Sequence, residues 1–368
     1  MSAARNWRDW RNDLVASPRF QSFAARFPLT RSVAARQARE SFDLAAGFVY
    51  SQILLACVEL DLFERLRAGP RTLGDLAAEV SLSNAATERL LLAAAALGLV
   101  ERRASGQFAL GLKGAAFLGN PGALAMVAHH RMVYGDIADP VALLRHGPTQ
   151  GGLAHFWAYA RSGARRAIDD ERVRDYSALM DASQTLVRSD VLDSCPLDGV
   201  RMMMDVGGGE GGFLAAAAQR HGNLRGFVVD LPAVAARAQE NFRAQGLDER
   251  LSAKGCDFFG EPLPQGADLA TLVRVLHDHD DAPAMALLRA IRAALAPGGR
   301  LIIAEPMAQA PGAERMGDAY FGFYLLAMGS GRPRPASEIK AMLKQAGFTQ
   351  IREVRTPRPL LVSAIEAS

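Results

Sequence analysis

The sequence predicts an α/β fold in which a mostly parallel sheet carries helices on both faces and follows a separate helical domain. After Pro196, segments typical of strands and of helices alternate to the end of the chain, which is the pattern of a parallel sheet. Before Pro196, apolar residues recur mainly at helical spacing. The length of 368 residues suits two domains. We therefore divide the chain into an arm (1–40), a helical domain (41–195) and a sheet domain (196–368).

The arm is rich in arginine and aromatic residues. Arginine recurs through residues 1–40 against only three acids, and aromatic residues are interleaved at Trp7, Trp10, Phe20, Phe23 and Phe27. This composition suits an anionic membrane surface. Aromatic side chains more often pack on the protein itself or on a second subunit. Peripheral membrane contact is therefore one of two interpretations of the arm.

Several features favour a cytoplasmic protein. The N-terminal stretch "MSAARNWRDWRNDL" has no apolar core of the kind found in secretion signals. The three cysteines, Cys57, Cys195 and Cys256, lie far apart with no CxxC spacing, which fits a reducing compartment and disfavours a thiolate metal site. The most apolar segment, "AAGFVYSQILLACVELDLF", is interrupted by polar residues at positions 51, 52, 59 and 61. We expect no membrane span.

The helical domain begins with a winged-helix pattern. A helix over 41–66 is followed by "TLGDLAAEV", which Thr72 can cap, and by a second helix in "SLSNAATERLLLAAAALGLV" that ends near Gly98. A hairpin is expected around Ser105 and Gly106. Winged helices often bind DNA. The second helix is apolar almost all round, which is typical of packing or dimerisation, and we expect no nucleic-acid partner.

A glycine turn, "DVGGGEGG", follows the first strand of the sheet domain. Gly207, Gly209 and Gly211 allow the backbone to approach a ligand closely. Gly212 also completes a GxGxxG pattern, so the turn alone fits NAD(P) as well as S-adenosylmethionine. Asp230 ends the next strand, where a carboxylate can accept both ribose hydroxyls in either case.

Three features favour S-adenosylmethionine. Asp205, directly before the glycines, suits a cationic methionine portion and repels a pyrophosphate. Asp257, at the tip of the third strand, is placed to accept from an adenine amino group. The sheet is continuous, and its last two strands can close as a hairpin that adds an antiparallel edge. Together these features predict the class I methyltransferase fold.

The stretch "HDHDD", from His277 to Asp281, follows the fourth strand. His277 and Asp278 are neighbours that cannot easily face one ion, so we expect no metal site. A catalytic base needs only a partner that orients the histidine, not a set of metal ligands. His277 lies at the carboxyl end of a strand, and Glu305, at the tip of the next strand, can accept from its second nitrogen. Asp280 and Asp281 favour the positive end of the helix that follows.

Several motifs resemble known enzymes. "DVGGGEGG", "VVDLPAV", "CDFF", "VLHDHDDA", "LAPGGRLIIAEP" and "AGF" resemble, in order, the motifs of plant-type small-molecule O-methyltransferases. "FDLAAGFVYSQILLACVELDLF", "RMVYGDIADP" and "YLLAMGSGRPRP" are similar to the carotenoid branch, the hydroxyneurosporene (demethylspheroidene) O-methyltransferases of purple bacteria. The winged helix resembles the dimerisation domain of that family, which implies a homodimer.

The resemblance implies roles for particular residues. His277 matches the catalytic base, Asp278 follows it as in the family, and Glu305 matches the carboxylate that orients the histidine. The residues that would bind S-adenosylmethionine are Gly207, Asp230 and its neighbour Leu231, Asp257, Phe258, and, from "ALMDASQ", Met180 and Ser183.

This sequence departs from the family at three positions near the site. His279 replaces the usual tryptophan, and Val273 replaces a lysine, for which Arg274 is expected to substitute near the cofactor. Pro333 occupies the place of a second carboxylate that many plant members have. We therefore expect His277 to have one carboxylate partner instead of two.

The acceptor is predicted to be lipophilic. The residues expected to line an apolar tunnel for a long substrate are Met126, Tyr134, Tyr320, Tyr324 and Met328, although helix packing explains many apolar residues of this stretch equally well. His129, His130 and His155 are expected to be structural. The resemblance implies methylation of the tertiary hydroxyl of an acyclic carotenoid, by base catalysis or by positioning alone. The alternatives are a phenolic or polyketide acceptor, a tetrapyrrole, and a winged-helix regulator that senses a metabolite.

Overall fold

A computed structural model describes residues 6–148, 152–156 and 183–368. The chain separates into two compact units, Met1–Gly119 and Asn120–Ser368. The first unit contains α1 (Trp7–Ala16), α2 (Pro18–Arg26), α3 (Arg31–Glu59), α4 (Leu62–Arg65), α5 (Leu73–Glu79), α6 (Asn84–Ala96), β1 (Val100–Arg102), β2 (Phe108–Leu110) and α7 (Leu112–Leu118).

The winged-helix elements lie where the sequence predicts them. Thr72 caps α5, since its hydroxyl accepts the Asp75 N–H at 3.2 Å. α6 ends two residues before Gly98, which has the positive φ of 74° that glycine adopts without strain. β1 and β2 pair antiparallel, with Val100 opposite Leu110.

α3 is longer than predicted, and few of its residues are buried. The expected helix spanned 41–66, whereas α3 runs from Arg31 to Glu59 and takes in residues 31–40 of the arm. Ser51 and Gln52 do not interrupt it. By length and composition α3 could cross a membrane, with a mean hydropathy of 1.5 over an 18-residue window that is 11% buried. The expectation of no such segment was therefore wrong on these two criteria, which core helices of soluble proteins and signal sequences also satisfy.

The second unit contains the sheet. Its elements are α8 (Pro121–Asp136), α9 (Pro140–His146), α10 (Gly152–Phe156), β3 (Met202–Val206), α12 (Gly212–Arg220), β4 (Arg225–Asp230), α13 (Pro232–Ala244), β5 (Leu251–Gly255), β6 (Ala267–Val273), a 3₁₀ turn (Leu276–Asp278), α14 (Asp281–Ala294), β7 (Leu295–Glu305), a π-helix (Arg315–Phe321), α15 (Gly322–Met328), α16 (Ala336–Gln345), β8 (Ile351–Val354) and β9 (Ser363–Ala367). A further helix, α11, is described over 183–194.

Within the described residues, the sheet has seven strands in the order β5-β4-β3-β6-β7-β9-β8. β3 pairs parallel with β4 and β6, and β9 runs antiparallel to both β7 and β8. The predicted antiparallel last strand is confirmed. It is not the outermost strand of the sheet, because β9 lies between β7 and β8. The carboxyl ends of β3, β4, β6 and β7 meet at one edge of the sheet, where sites of α/β proteins form.

Alternate residues of β3 face opposite layers of helices. Met203 packs with Leu214 of α12, whereas Met204 packs with Leu287 of α14 and Leu343 of α16. All five of the side chains from Met203 to Leu343 named here are 0% exposed, and burying one such side chain stabilises the fold by about 1.5–3 kcal/mol. The sheet edge that carries the candidate site is therefore held by a core on each face.

The compact units do not divide where the sequence divides the domains. α8, α9 and α10 pack against α15, so residues 120–156 belong to the compact unit that holds the sheet. The predicted boundary between the helical and catalytic domains lies 76 residues later, at 195/196. The division by role into an arm, a dimerisation and substrate-lining domain, and a catalytic domain stays a prediction.

Candidate active site

The glycine turn after β3 requires glycine at two positions. Gly207 has φ 69°, and a Cβ there would lie 2.8 Å from Val275. Gly211 has φ 81°, and a Cβ there would overlap the ring of Phe242. Both the left-handed backbone and the close neighbours exclude other side chains. Gly209 also has a positive φ of 58°, but open space surrounds it.

Two buried carboxylates flank this turn. The Asp230 Oδ2 accepts the Gly209 N–H at 2.9 Å, and its Oδ1 accepts the Leu231 N–H at 2.8 Å. The Asp205 Oδ1 accepts the Thr271 hydroxyl at 2.6 Å. The Asp205 Oδ2 is buried with no hydrogen-bond partner among the residues that the structure describes.

Burial makes both acids weaker than usual. Burial is the largest effect on Asp205, where the Thr271 hydrogen bond opposes it and nearby Asp230 adds to it, and the pKa rises to about 7. The pKa of Asp230 rises to about 6, because burial outweighs the hydrogen bonds from Leu231 and Gly209. A cation placed between them would favour the charged forms of both.

The third strand end supplies an aromatic wall. Asp257 follows β5, and its Oδ1 accepts the Phe259 N–H at 3.1 Å. The rings of Phe258 and Phe259 lie 4.8 Å apart, and His279 stands edge-on to Phe259 at 4.8 Å and to Phe258 at 6.1 Å. The histidine that replaces the family's tryptophan therefore still packs as an aromatic ring.

Arg274 turns its side chain along the same edge. It is one of the described non-glycine residues with a positive φ, at 58°, a conformation that costs roughly 1–2 kcal/mol. Its guanidinium donates to the Ser183 hydroxyl at 3.2 Å and lies 5.6 Å from the centre of the Phe321 ring. Backbone strain of this kind is concentrated at functional sites. Met180, predicted beside Ser183, lies outside the described residues.

His277 is held by carboxylates at both ring nitrogens. Its Nδ1 makes a hydrogen bond with Glu305 Oε2, and the other Glu305 oxygen accepts the N–H groups of Val275 and Leu276 at 3.1 and 2.7 Å. Its Nε2 lies 3.1 Å from Asp278 Oδ1. That distance suits an ion pair, although the angle does not meet hydrogen-bond geometry, since the same oxygen has no hydrogen-bond partner.

The two acids set the basicity of His277. Burial alone lowers the pKa of the imidazole, but the negative charges of Glu305 and Asp278 outweigh it and raise the pKa to about 9. Glu305 also fixes the ring so that Nε2 is the nitrogen able to exchange a proton. The second carboxylate that Pro333 cannot supply is present after all, in Asp278. The expectation of a single carboxylate partner was wrong, because only the folded turn brings Asp278 back onto the ring.

The predicted substrate residues divide into two groups. Met328 and Tyr324 are 0% and 4% exposed in a cluster with Leu143 and Leu153, so both are core residues in this structure and neither lines an open tunnel. Tyr320, Met126 and Tyr134 are half-buried. Tyr320 stands edge-on to Phe321 at 5.1 Å, and Phe321 lies 5.6 Å from His277.

Two histidine–tyrosine pairs join α8 to the π-helix and α15. His130 Nε2 hydrogen-bonds with the Tyr320 hydroxyl at 2.7 Å, and His129 Nε2 with the Tyr324 hydroxyl at 2.9 Å. Burial lowers the pKa of both histidines, that of His129 to about 4 with a further contribution from His130. Sequence reasoning treated both only as structural histidines, and nothing in their spacing indicates partners about 190 residues away. The side chain of His155 lies outside the described ones.

Within the described residues, no group of three or more histidine, cysteine, aspartate or glutamate side chains is arranged to hold a metal ion.

Comparison with known families decides what this edge belongs to. Residues 134–349 match the O-methyltransferase domain, and residues 42–117 match the O-methyltransferase dimerisation domain. The chain belongs to the O-methyltransferase family. Membership confirms the resemblance and the predicted fold class, and it rules out the NAD(P) and regulator alternatives.

Relatives of this O-methyltransferase match it over nearly its full length. Demethylspheroidene O-methyltransferase of Cereibacter sphaeroides is 45% identical over 96% of this chain and 93% of its own. The enzyme of that name from Rhodobacter capsulatus is 42% identical over 96% of this chain and 88% of its own. The structure of human N-acetylserotonin methyltransferase in complex with SAM has a TM-score of 0.75 and 26% identity, covering 90% of this chain and 97% of the human one.

Proposed function

We propose that this O-methyltransferase transfers the methyl group of S-adenosylmethionine to the tertiary hydroxyl of a hydroxylated acyclic carotenoid of the demethylspheroidene type. The acceptor is supported by the 45% identity to a relative of that name over 96% of the chain. The observation that carries the chemistry is the hydrogen bond between His277 Nδ1 and Glu305. It lies at the same edge of the sheet as the glycine turn.

The residues of this edge fit a sulfonium cofactor. The buried Asp205 Oδ2, without a hydrogen-bond partner among described residues, suits the cationic methionine portion. We assign the ribose hydroxyls to Asp230 and the adenine ring to Asp257 and Phe258. The remaining contacts are assigned to Gly207, Gly209, Gly211, Leu231, Arg274, Ser183 and Met180. S-adenosylmethionine, when bound, supplies a methyl group that its sulfonium already activates.

His277 then acts as the general base. Glu305 keeps the proton on Nδ1, so Nε2 receives the hydroxyl proton and Asp278 stabilises the imidazolium that forms. A tertiary alcohol is far less acidic than a phenol, whose pKa is about 10. Proton removal therefore accompanies methyl transfer instead of preceding it. The half-buried Tyr134, Tyr320 and Met126 hold the apolar chain of the acceptor.

The experiment is incubation of the purified protein with methyl-labelled S-adenosylmethionine and a panel of hydroxycarotenoids and phenols. We expect label in the tertiary hydroxycarotenoids, and a loss of about 10²–10⁴-fold in turnover for His277→Ala. His221→Ala, at the far end of α12, is the matched control. Label in phenols alone would assign the acceptor to the phenolic class. Near-normal turnover by His277→Ala would leave positioning as the whole mechanism.

We also propose that the chain works in the cytoplasm as a homodimer that contacts the membrane in which a carotenoid dissolves. The contact is assigned to α1 and α2, which precede the matched dimerisation domain. Trp7 and Trp10 are each 65% exposed. Phe23 and Phe27 stack at 5.2 Å and line, with Arg19 and Arg26, a surface groove of about 710 Å³. Aromatic rings beside guanidinium groups suit an anionic headgroup layer.

Vesicle sedimentation tests the membrane contact. We expect the protein to sediment with vesicles rich in phosphatidylglycerol, to stay in solution with phosphatidylcholine alone, and to be released by salt. Trp7→Ala/Trp10→Ala should weaken the sedimentation while methylation of detergent-dispersed acceptor stays unchanged. Equal sedimentation of the variant and the unaltered chain would reject this use of the arm.

A further inference from the structure

Arg334 is a buried cation beside the catalytic turn. It is 2% exposed and lies in the segment between α15 and α16. Its Nη1 donates to the Leu276 carbonyl at 3.0 Å, and its Nη2 donates to the His279 carbonyl at 2.7 Å. These two carbonyls stand on either side of His277 and Asp278. The guanidinium therefore bridges the two ends of the turn that carries the base.

The same segment grips the turn at two further points. The Ser330 hydroxyl donates to the Asp278 carbonyl at 2.9 Å, and the Gly331 N–H donates to Asp280 Oδ1 at 3.0 Å. A Cβ at Gly331 would overlap the His277 carbonyl oxygen, and Gly331 has φ 78°. The backbone at Gly331 thus lies directly against that of 277–278.

Arg332 offers an internal comparison. Both arginines bind Asp281: Arg334 through Nε and Nη2 at 3.1 and 2.7 Å, and Arg332 through Nη2 at 2.9 Å. Both also approach Glu338. Arg334 alone of the two is bonded to the carbonyls of Leu276 and His279. The two side chains therefore share their acids and differ in whether they reach the catalytic turn.

We propose that Arg334, through its bonds to the Leu276 and His279 carbonyls, is a positioning residue that holds His277 in line with the acceptor oxygen. This proposal rests on the proposed role of His277 as the base. A planar guanidinium has separate N–H groups for each carbonyl and for Asp281, whereas the single ammonium of lysine cannot span them. A displacement of about 1 Å at a reacting group costs on the order of 100-fold in rate.

The test compares Arg334→Lys with Arg332→Lys in the full-length enzyme. For Arg334→Lys we expect a fall in kcat of about 10- to 100-fold with the KM for S-adenosylmethionine nearly unchanged, because the glycine turn is untouched. The pH at which kcat/KM reaches half its plateau should fall, since a displaced ring loses part of its interaction with Glu305 and Asp278. Arg332→Lys should match the unaltered enzyme in both respects.

Three outcomes decide the proposal. Normal kcat in Arg334→Lys overturns it, because charge alone would then suffice. A lowered Tm with unchanged kcat and pH profile below the transition also overturns it and leaves a structural role. The double variant His277→Ala/Arg334→Lys separates the two proposals: if Arg334 acts through His277, it should turn over at the rate of His277→Ala. If His277→Ala itself is fully active, the base proposal fails independently of the Arg334 result.

Discussion

At the scale of single residues, the environment of His277 predicts the pH dependence of the reaction. Burial lowers the imidazole pKa, but the charges of Glu305 and Asp278 outweigh burial and raise the pKa to about 9. The base form is the deprotonated one, so kcat/KM should rise with pH, reach half its plateau near pH 9 and level off above that pH. In Asp278→Asn one raising charge is lost, and the rise should move to lower pH. A rise centred near 6.5, or one unmoved in Asp278→Asn, would contradict this account of the site.

The pair of Tyr324 with His129 predicts a stability effect. Both side chains are below 10% exposed, so Tyr324→Phe removes a buried hydrogen bond, the one between the Tyr324 hydroxyl and His129 Nε2 at 2.9 Å. The loss of one hydrogen bond costs about 0.5–1.5 kcal/mol, which lowers Tm by roughly 1–6 °C in a domain of this size. The control is Tyr50→Phe, whose 3.3 Å bond to Asp43 is at the surface. Equal melting of the two variants in calorimetry would show that the buried pair contributes nothing.

The residues of the site differ in how far the sequence reveals them. His277, Asp205, Asp230 and Glu305 follow or end apolar strands, and strand ends meet at one edge, so their proximity follows from the strand pattern alone. The bonds of Arg334 do not follow from it, because they join segments some 55 residues apart through a turn whose path is set by packing. Met328 was misassigned for the same reason: an apolar aromatic stretch gives no sign of which members face the core.

At the scale of elements, the start of α12 predicts a glycine requirement that is separable from backbone strain. Gly211→Ala places a Cβ at φ 81° and against the Phe242 ring. Gly246→Ala, after α13, has φ 66° with open space. Alanine in the left-handed region costs about 1–2 kcal/mol, so Gly246→Ala should lower the free energy of unfolding, measured in urea, by that amount. Gly211→Ala should lower the free energy of unfolding clearly more. Equal decreases in the two variants would mean that the Phe242 ring moves aside at no cost in stability.

The elements themselves were predicted best where one apolar pattern governs them. The strands and helices of the sheet domain follow their periodicity, because each buries one face against a core layer. α3 was predicted to begin late, since residues 31–40 lack apolar spacing; good helix formers such as alanine, arginine, glutamine and glutamate extend it. The sequence near β9 does not reveal that this strand lies between β7 and β8. Either strand of a terminal hairpin could pair with the sheet and leave the other outermost.

At the scale of the whole molecule, the exposed face of α3 predicts a dimer that depends on it. Leu44 and Phe48, one helical turn apart, are 86% and 73% exposed and lie within the matched dimerisation domain, residues 42–117. Apolar side chains so exposed in the single chain mark an interaction surface. The double change Leu44→Glu/Phe48→Glu should therefore halve the mass measured by light scattering after gel filtration.

The matched control for this change lies in the arm. Trp7→Glu/Trp10→Glu alters two large side chains that are comparably exposed but lie outside the dimerisation domain, so it should leave the dimer intact and abolish vesicle binding. The α3 variant should do the opposite and keep its affinity for anionic vesicles, apart from the avidity that a dimer adds. If the arm variant is the one that becomes monomeric, the aromatic arm is part of the subunit interface, and the membrane contact assigned to α1 and α2 is wrong.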